Sequence, residues 1–234
     1  MAARKSATKR SATAKARGAT ANRRANAPAY QRMENDERRA QLLALGRAAF
    51  AKYPYDEVSI DDLAEKAGLS KGLFYYYFPT KRDLYTAAVE VTTRELITTV
   101  VAKVAQANTP RDRAMAGVEA YLDHVERQGS SFVALMRGGI GTDSKVAGVV
   151  DKVRAQMLEQ FMGGAPIGAF LKKRPLGRIA IRAWIGMVEA ASVEWMTAKD
   201  IPREPLRDLL VDQLFDLLTR VLGTKVSQTE FMKP

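Results

Sequence analysis

The chain has 234 residues, 47% of them hydrophobic, with 37 basic against 26 acidic side chains, one histidine and no cysteine. That length suits one large domain or two modest ones, while the missing cysteine excludes disulfides, zinc knuckles and thiol catalysis, and one histidine cannot supply a usual zinc set. No paired nucleophile is evident and no stretch approaches the roughly 20 apolar residues of a membrane span, so enzyme, metal, cofactor and membrane roles fall outside the expectation.

Residues 1–33 hold nine basic residues and no acid, leaving 28 basic against 26 acidic in the remainder. This segment has almost no large apolar residue before Tyr30. It cannot bury enough surface to offset its ordering entropy, so residues 1–35 are expected to be a disordered basic arm. No apolar core follows the charges, which argues against a secretory signal. Residues 36–53 carry Leu42, Leu43, Leu45, Ala49 and Phe50 on one arc of a predicted helix. A second helix is predicted over 59–67, with Ser59 as N-cap and Asp61 and Asp62 in the first turn, where the helix dipole favours negative charge. Gly68 stops it and Ser70 can cap the next.

That next helix is short and unusual. Phe74 and Phe78, one turn apart, point one way, while Lys71, Tyr75 and Tyr76 point outward and Tyr77 sits on the flank. Three consecutive tyrosines spread over roughly 200° of arc and cannot all be core. Two short helices joined by a Gly-containing turn match the DNA-binding helix-turn-helix, whose second helix enters the major groove. Lysine can donate to guanine O6 and N7, and a tyrosine ring can lie against a thymine methyl.

From residue 81 onward every periodic segment reads as helix. Thr80 caps a long helix over 81–105, and Thr109-Pro110 starts another through Arg127. His124, between Asp123 and Glu126, is expected on the helix surface or in a hydrogen bond. Further helices are predicted at 131–137 (ended by Gly138-Gly139), 143–162 (stopped by Gly163-Gly164), 178–199 and 204–222, with a turn at 165–173. Ile181, Trp184, Val188, Ala191 and Trp195 share one face of the penultimate helix. Leu206, Leu209, Leu210, Leu214, Leu217, Leu218 and Val221 make a broad stripe on the last. Apolar surface in excess of one stripe per helix is commonly covered by a partner subunit. The expected fold is all-α: arm at 1–35, helix-turn-helix head at 36–80, helical ligand-binding and dimerisation domain at 81–223, flexible tail at 224–234.

Residues 36–96 resemble the N-terminal domain of the TetR family of bacterial transcriptional regulators. The resemblance rests on Ala49-Phe50, on Val58-Ser59-Ile60-Asp61-Asp62-Leu63-Ala64, on Ala67-Gly68-Leu69-Ser70-Lys71-Gly72 and on Tyr75-Tyr76-Tyr77-Phe78-Pro79-Thr80-Lys81. It implies that Lys71, Gly72 and Tyr75 meet base edges, that Ser59, Tyr76, Tyr77 and Lys81 grip phosphates, and that Ser70 belongs to the same DNA-binding set. Leu73 departs from the small or hydroxylated residue often found there. The resemblance further implies a cytoplasmic, nucleoid-associated homodimer joined through the last two helices, a repressor released from double-stranded DNA by a small-molecule effector. Two recognition helices about 34–36 Å apart would read an inverted repeat.

Phe132, Met136, Met157, Phe161, Trp184, Met187 and Val188 could line an effector cavity or form a plain core. Glu189, an acid among apolar neighbours, needs a partner; an arginine such as Arg182 or Arg137 is expected to supply it, the alternative being a polar group of the ligand. The stretch from Phe132 to Val150 loosely resembles TetR-like regulators that sense long-chain acyl compounds, which suggests an apolar effector. Two other readings compete: an architectural DNA-binding protein dominated by its basic arm, and a helical enzyme carrying a DNA head. The first predicts little sequence preference; the second lacks any acid–base constellation.

Overall fold

The computed structural model describes residues 34–137, 143–163, 168, 171 and 173–223. Residues 1–33 of the expected arm, the Gly138-Gly139 stop, most of the expected turn at 165–173 and the expected tail at 224–234 lie outside the described residues. Among the described residues all regular structure is helical and no strand occurs. No helix among them is long and apolar enough to cross a membrane.

The chain divides into two compact units, Met1–Ala44 and Leu45–Pro234. In the first, residues 34–44 are helical, Leu42 and Leu43 are buried, and Arg38 Nη1 donates to Gln41 Oε1 at 3.0 Å. They belong to α1 (34–52), which begins two residues before the expected start.

In the second unit, a 3-10 turn at Tyr55–Glu57 follows α1; it was not expected from the sequence. Then come α2 (Ile60–Lys66) and α3 (Lys71–Tyr77). Their joint is a Schellman turn: Leu69 N–H donates to Ala64 O and Gly68 N–H to Glu65 O, with Gly68 at φ 63°, where a side chain would be strained. Ile60, Ala64, Phe74 and Phe78 are buried beside Phe50 and Val58 in the head's core.

Thr80 caps α4 (Lys81–Ala105) by accepting from Asp83 N–H, and its hydroxyl donates to the Asp83 carboxylate. At 25 residues, α4 is about 37 Å long. Phe50, Tyr55 and Tyr85 form a ring cluster with centroids 4.9–6.3 Å apart, tying α1 and the 3-10 turn to the first turns of α4. Gly46 of α1 allows an even closer approach, since a Cβ there would stand 2.9 Å from Leu84 side-chain atoms.

The rest comprises α5 (Pro110–Gln128), α6 (Ser130–Arg137), α7 (Ser144–Gly163), α8 (Pro175–Ala198) and α9 (Arg203–Leu222). Thr109 caps α5 with Pro110 in the first turn. Helix α8 starts three residues before its expected start, because Pro175 and Leu176 extend the first turn. Helix α4 packs on α5 and α7, and α9 packs on α5 and α8. One core cluster gathers Met162, Leu171, Ile181, Leu214 and Leu218; another gathers Val118, Leu122, Val188, Leu206 and Leu210. Arg203 at the start of α9 pairs with Glu119, Asp123 and Glu126 of α5. The stripe expected on α9 is incomplete: Leu209 is 54% exposed.

Candidate functional site

Helix α3 is seven residues long and held by its inner face. Phe74 and Phe78 are buried, which fixes its rotation and turns Tyr75 and Tyr76, 46% and 73% exposed, to solvent. Two adjacent exposed rings make a surface suited to contact with a partner. Tyr77 is half-buried and its ring meets that of Tyr76 edge-on at 4.9 Å. Gly72 is exposed, and a Cβ there would touch nothing within 4 Å, so the backbone of the first turn is open to close approach. Ser59 and Ser70 accept from Asp62 N–H and Leu73 N–H at 3.3 Å each. Each hydroxyl proton is still free to donate outward.

Two of the expected contacts are engaged inside the protein. Lys71 Nζ donates to the Asp61 carboxylate of α2, and that hydrogen bond is the main cause of its raised pKa. Both partners are more than half exposed, so the pair is weak and easily exchanged. Lys81 Nζ lies 4.4 Å from the Tyr55 ring centroid and donates to Asp56 O at 3.4 Å. Neither arrangement follows from helical spacing, since both depend on how separate elements pack.

The seven residues weighed for an effector cavity do not gather around one. Phe161 and Trp184, ring centroids 6.4 Å apart, pack on the cluster around Ile181; Trp184, Met187 and Val188 belong to the cluster around Leu122. The Trp184 indole donates to Leu210 O at 2.9 Å. Phe132 lines a small cavity of about 50 Å³ between α1, α4, α5 and α6. Met136 and Met157 are half-buried and line neither this cavity nor those clusters. A separate cavity of about 310 Å³ is bounded by Leu158, Met162 and Pro175 with Lys173, Arg174 and Arg178 at its side.

Glu189 does pair with an arginine, as expected, but the partner is Arg154 and neither Arg182 nor Arg137. Arg154 of α7 grips it through Nε and Nη2 with contacts of 2.8–3.1 Å, and Arg154 Nη1 also holds Asp151. Arg137 instead approaches Glu194 at 3.9 Å. The buried hydroxyl of Tyr121 lies in the field of this pair and has no hydrogen-bond partner among the described residues; burial, then Glu189, pushes its pKa up. The expectation of a surface or hydrogen-bonded His124 is also corrected. His124 is 8% exposed, its imidazole makes no hydrogen bond among the described residues, and burial pushes its pKa down to about 4. Helix α5 is enclosed on more than one side, with Ala120, Leu122, His124 and Val125 all buried, so acidic neighbours in sequence were a poor guide. Among the described residues no group of three His, Asp or Glu is placed to hold a metal ion.

Residues 42–88 match the family model for bacterial regulatory proteins of the tetR family, and residues 110–217 match a tetracyclin repressor-like C-terminal domain. The chain is 32% identical over 134 residues to the HTH-type transcriptional activator FasR of Mycolicibacterium smegmatis, covering 57% of this chain and 59% of that protein. It is 40% identical over 50 residues to the HTH-type transcriptional regulator EthR of Mycobacterium tuberculosis, 21% of this chain and 23% of that one. The match therefore spans less than two thirds of either relative. A crystal structure of a tetR-family transcriptional regulator from Streptomyces coelicolor superposes with a TM-score of 0.65 at 30% identity, covering 80% of this chain and 89% of that one. The fold alone is shared with FadR of Bacillus subtilis in complex with stearoyl-CoA, at 15% identity and a TM-score of 0.59, with 77% of this chain and 97% of that one covered. With both halves matched by family models and a related structure followed over nearly its whole length, the chain belongs to the TetR family of bacterial transcriptional regulators.

Proposed function

We propose that this chain is a homodimeric, effector-responsive regulator that reads an inverted-repeat operator with α3. The observation that carries the reading is the two-faced character of that helix: two buried phenylalanines behind, two exposed tyrosines and a lysine in front. Lys71, Gly72 and Tyr75 are assigned to base edges, and Ser59, Ser70, Tyr76, Tyr77 and Lys81 to phosphate contacts. Lys71 exchanges Asp61 for a base, and Lys81 leaves the Tyr55 ring for a phosphate. Residues 1–33 act as a basic arm along the DNA backbone, 34–80 as the head and 81–223 as the effector and dimerisation domain, with 224–234 as a tail. Leu176 and Ile179 on α8 and Leu209 on α9, each more than half exposed, are apolar surface suited to a partner subunit.

The effector is a small apolar compound held in the 81–223 domain, a reading favoured by the stearoyl-CoA bound to a protein of the same fold. Binding shifts the separation of the two heads by no more than the effector's differential affinity for the two states. Repression is the first reading of the output. Activation is the second, favoured by the name of the FasR relative. The test is a fluorescence-anisotropy titration on inverted repeats upstream of the neighbouring genes, with and without stearoyl-CoA. Tyr75→Ala and Tyr76→Ala should each weaken binding while leaving the helical spectrum unchanged. Equal affinity of both variants and the parent would end the assignment. Deleting residues 1–33 should lower affinity and salt slope but keep operator choice; loss of all binding would favour the architectural reading.

A further inference from the structure

The 50 Å³ cavity lies where α1 meets α4, α5 and α6, at the joint between the reading head and the rest of the chain. Two polar groups line it with donor capacity left over. Arg47 Nε of α1 is buried and has no hydrogen-bond partner among the described residues, although Arg47 Nη2 pairs with Glu95. His124 of α5 is buried, and no hydrogen bond to it occurs among the described residues. Its depressed pKa keeps the imidazole neutral near pH 7, with one N–H still to give. The other hydroxyls there are partly engaged: Ser131 donates to Tyr53 O and Thr93 to Val89 O. Thr92 and Gln128 add further polar atoms to the wall, and Phe50 and Phe132 make its apolar side.

We propose that this cavity binds the carboxylate of a short monocarboxylic acid, which accepts from Arg47 Nε–H and His124 N–H while its hydrocarbon end lies against Phe50 and Phe132. A buried guanidinium N–H and a neutral imidazole N–H together ask for a charged acceptor. A cation would face Arg47, and an alcohol oxygen, although it can accept twice, carries no charge to match the guanidinium. Glu95 offsets part of the Arg47 charge through Nη2, but its side chain is 57% exposed and it leaves the Nε–H without a partner among the described residues. The size agrees: at about 10–15 Å³ per water-sized occupant, 50 Å³ takes roughly three to five heavy-atom groups. The acid would join Arg47 of the head to His124 of the body, and so bias head orientation. That last consequence rests on the regulator reading above; binding itself does not.

His124 is the only histidine in the sequence, so its imidazole NMR signals are unique. The full chain is titrated at pH 7 and constant ionic strength with sodium propionate, whose five heavy atoms fit the cavity, and with sodium chloride and n-propanol. Propionate should shift the His124 signals saturably, and Arg47→Gln should weaken that response at least tenfold. If Arg47→Gln fails to fold, Arg47→Lys keeps the charge without the Nε–H and should show the same loss. The proposal is overturned if propionate gives no saturable shift, if chloride matches it (an adventitious ion only), if propanol matches it, or if the folded arginine variant binds equally well. Operator binding is measured on the same samples. Operator binding without a propionate response sinks this inference alone, and a propionate response without operator binding sinks only the regulator reading.

Discussion

Arg154 and Glu189 sit between two regimes, and their exposure decides which one governs. The side chains are 26% and 14% exposed, with three nitrogen–oxygen contacts of 2.8–3.1 Å. Fully exposed pairs contribute about 0–1 kcal/mol, whereas removing one partner of a buried pair costs about 3–5 kcal/mol because the other charge is stranded. Glu189→Met should destabilise by about 2 kcal/mol, moderated because Arg154 keeps Asp151. Arg154→Met strands the more buried member and should reach about 3 kcal/mol. The double substitution strands nothing and should cost no more than the worse single, giving a coupling of about 2 kcal/mol. Urea unfolding at one fixed protein concentration reads all four corners of the cycle, since subunit association would otherwise move the midpoints. Additive singles, with coupling under about 0.5 kcal/mol, would refute the argument and class the pair with ordinary surface ion pairs.

Phe74→Ala, at a site 1% exposed, should cost about 3–5 kcal/mol in urea unfolding and abolish operator binding by releasing α3; a loss under 1 kcal/mol would show that the helix is anchored elsewhere. Lys71→Ala should weaken a cognate operator roughly tenfold while affecting random DNA little, whereas Asp61→Asn should tighten the operator a few-fold; equal effects on both DNAs would move Lys71 to a phosphate. Burial pushes the His124 pKa down from its ordinary 6.5 to about 4 in the folded chain. Its contribution to stability is complete above pH 6.5 and declines as acid protonates the unfolded chain first, by about 3 kcal/mol at pH 4. His124→Asn should flatten that part of the urea midpoint-against-pH curve, and an unchanged curve would assign the acid sensitivity to other groups.

The parts of this fold that are legible in the sequence are those set by short-range chemistry. Ser59, Ser70, Thr80 and Thr109 cap the helices that their hydroxyls announce, because a cap involves only residues within one turn. The rotation of α3 was legible too, because only Phe74 and Phe78 share an inward face. What stayed hidden depends on register between distant elements. Glu189 plainly needed a cation, but periodicity cannot say that Arg154, 35 positions away, would be opposite it. The same holds for Lys71 with Asp61 and for Lys81 over Tyr55. The 3-10 turn at Tyr55–Glu57 is too short to carry a period at all. The effector residues were the least legible, since methionines and aromatics on a helix look alike whether they line a chamber or fill a core.

Gly46 stands against Leu84 with no room for even a methyl group between them, and Leu84 is completely enclosed. At such a joint the two helices meet through a side chain on one side only, and any larger residue at position 46 would have to wedge them apart or displace Leu84. One hydrogen atom in place of a side chain thus sets how closely this turn of α1 seats on the 37 Å shaft of α4.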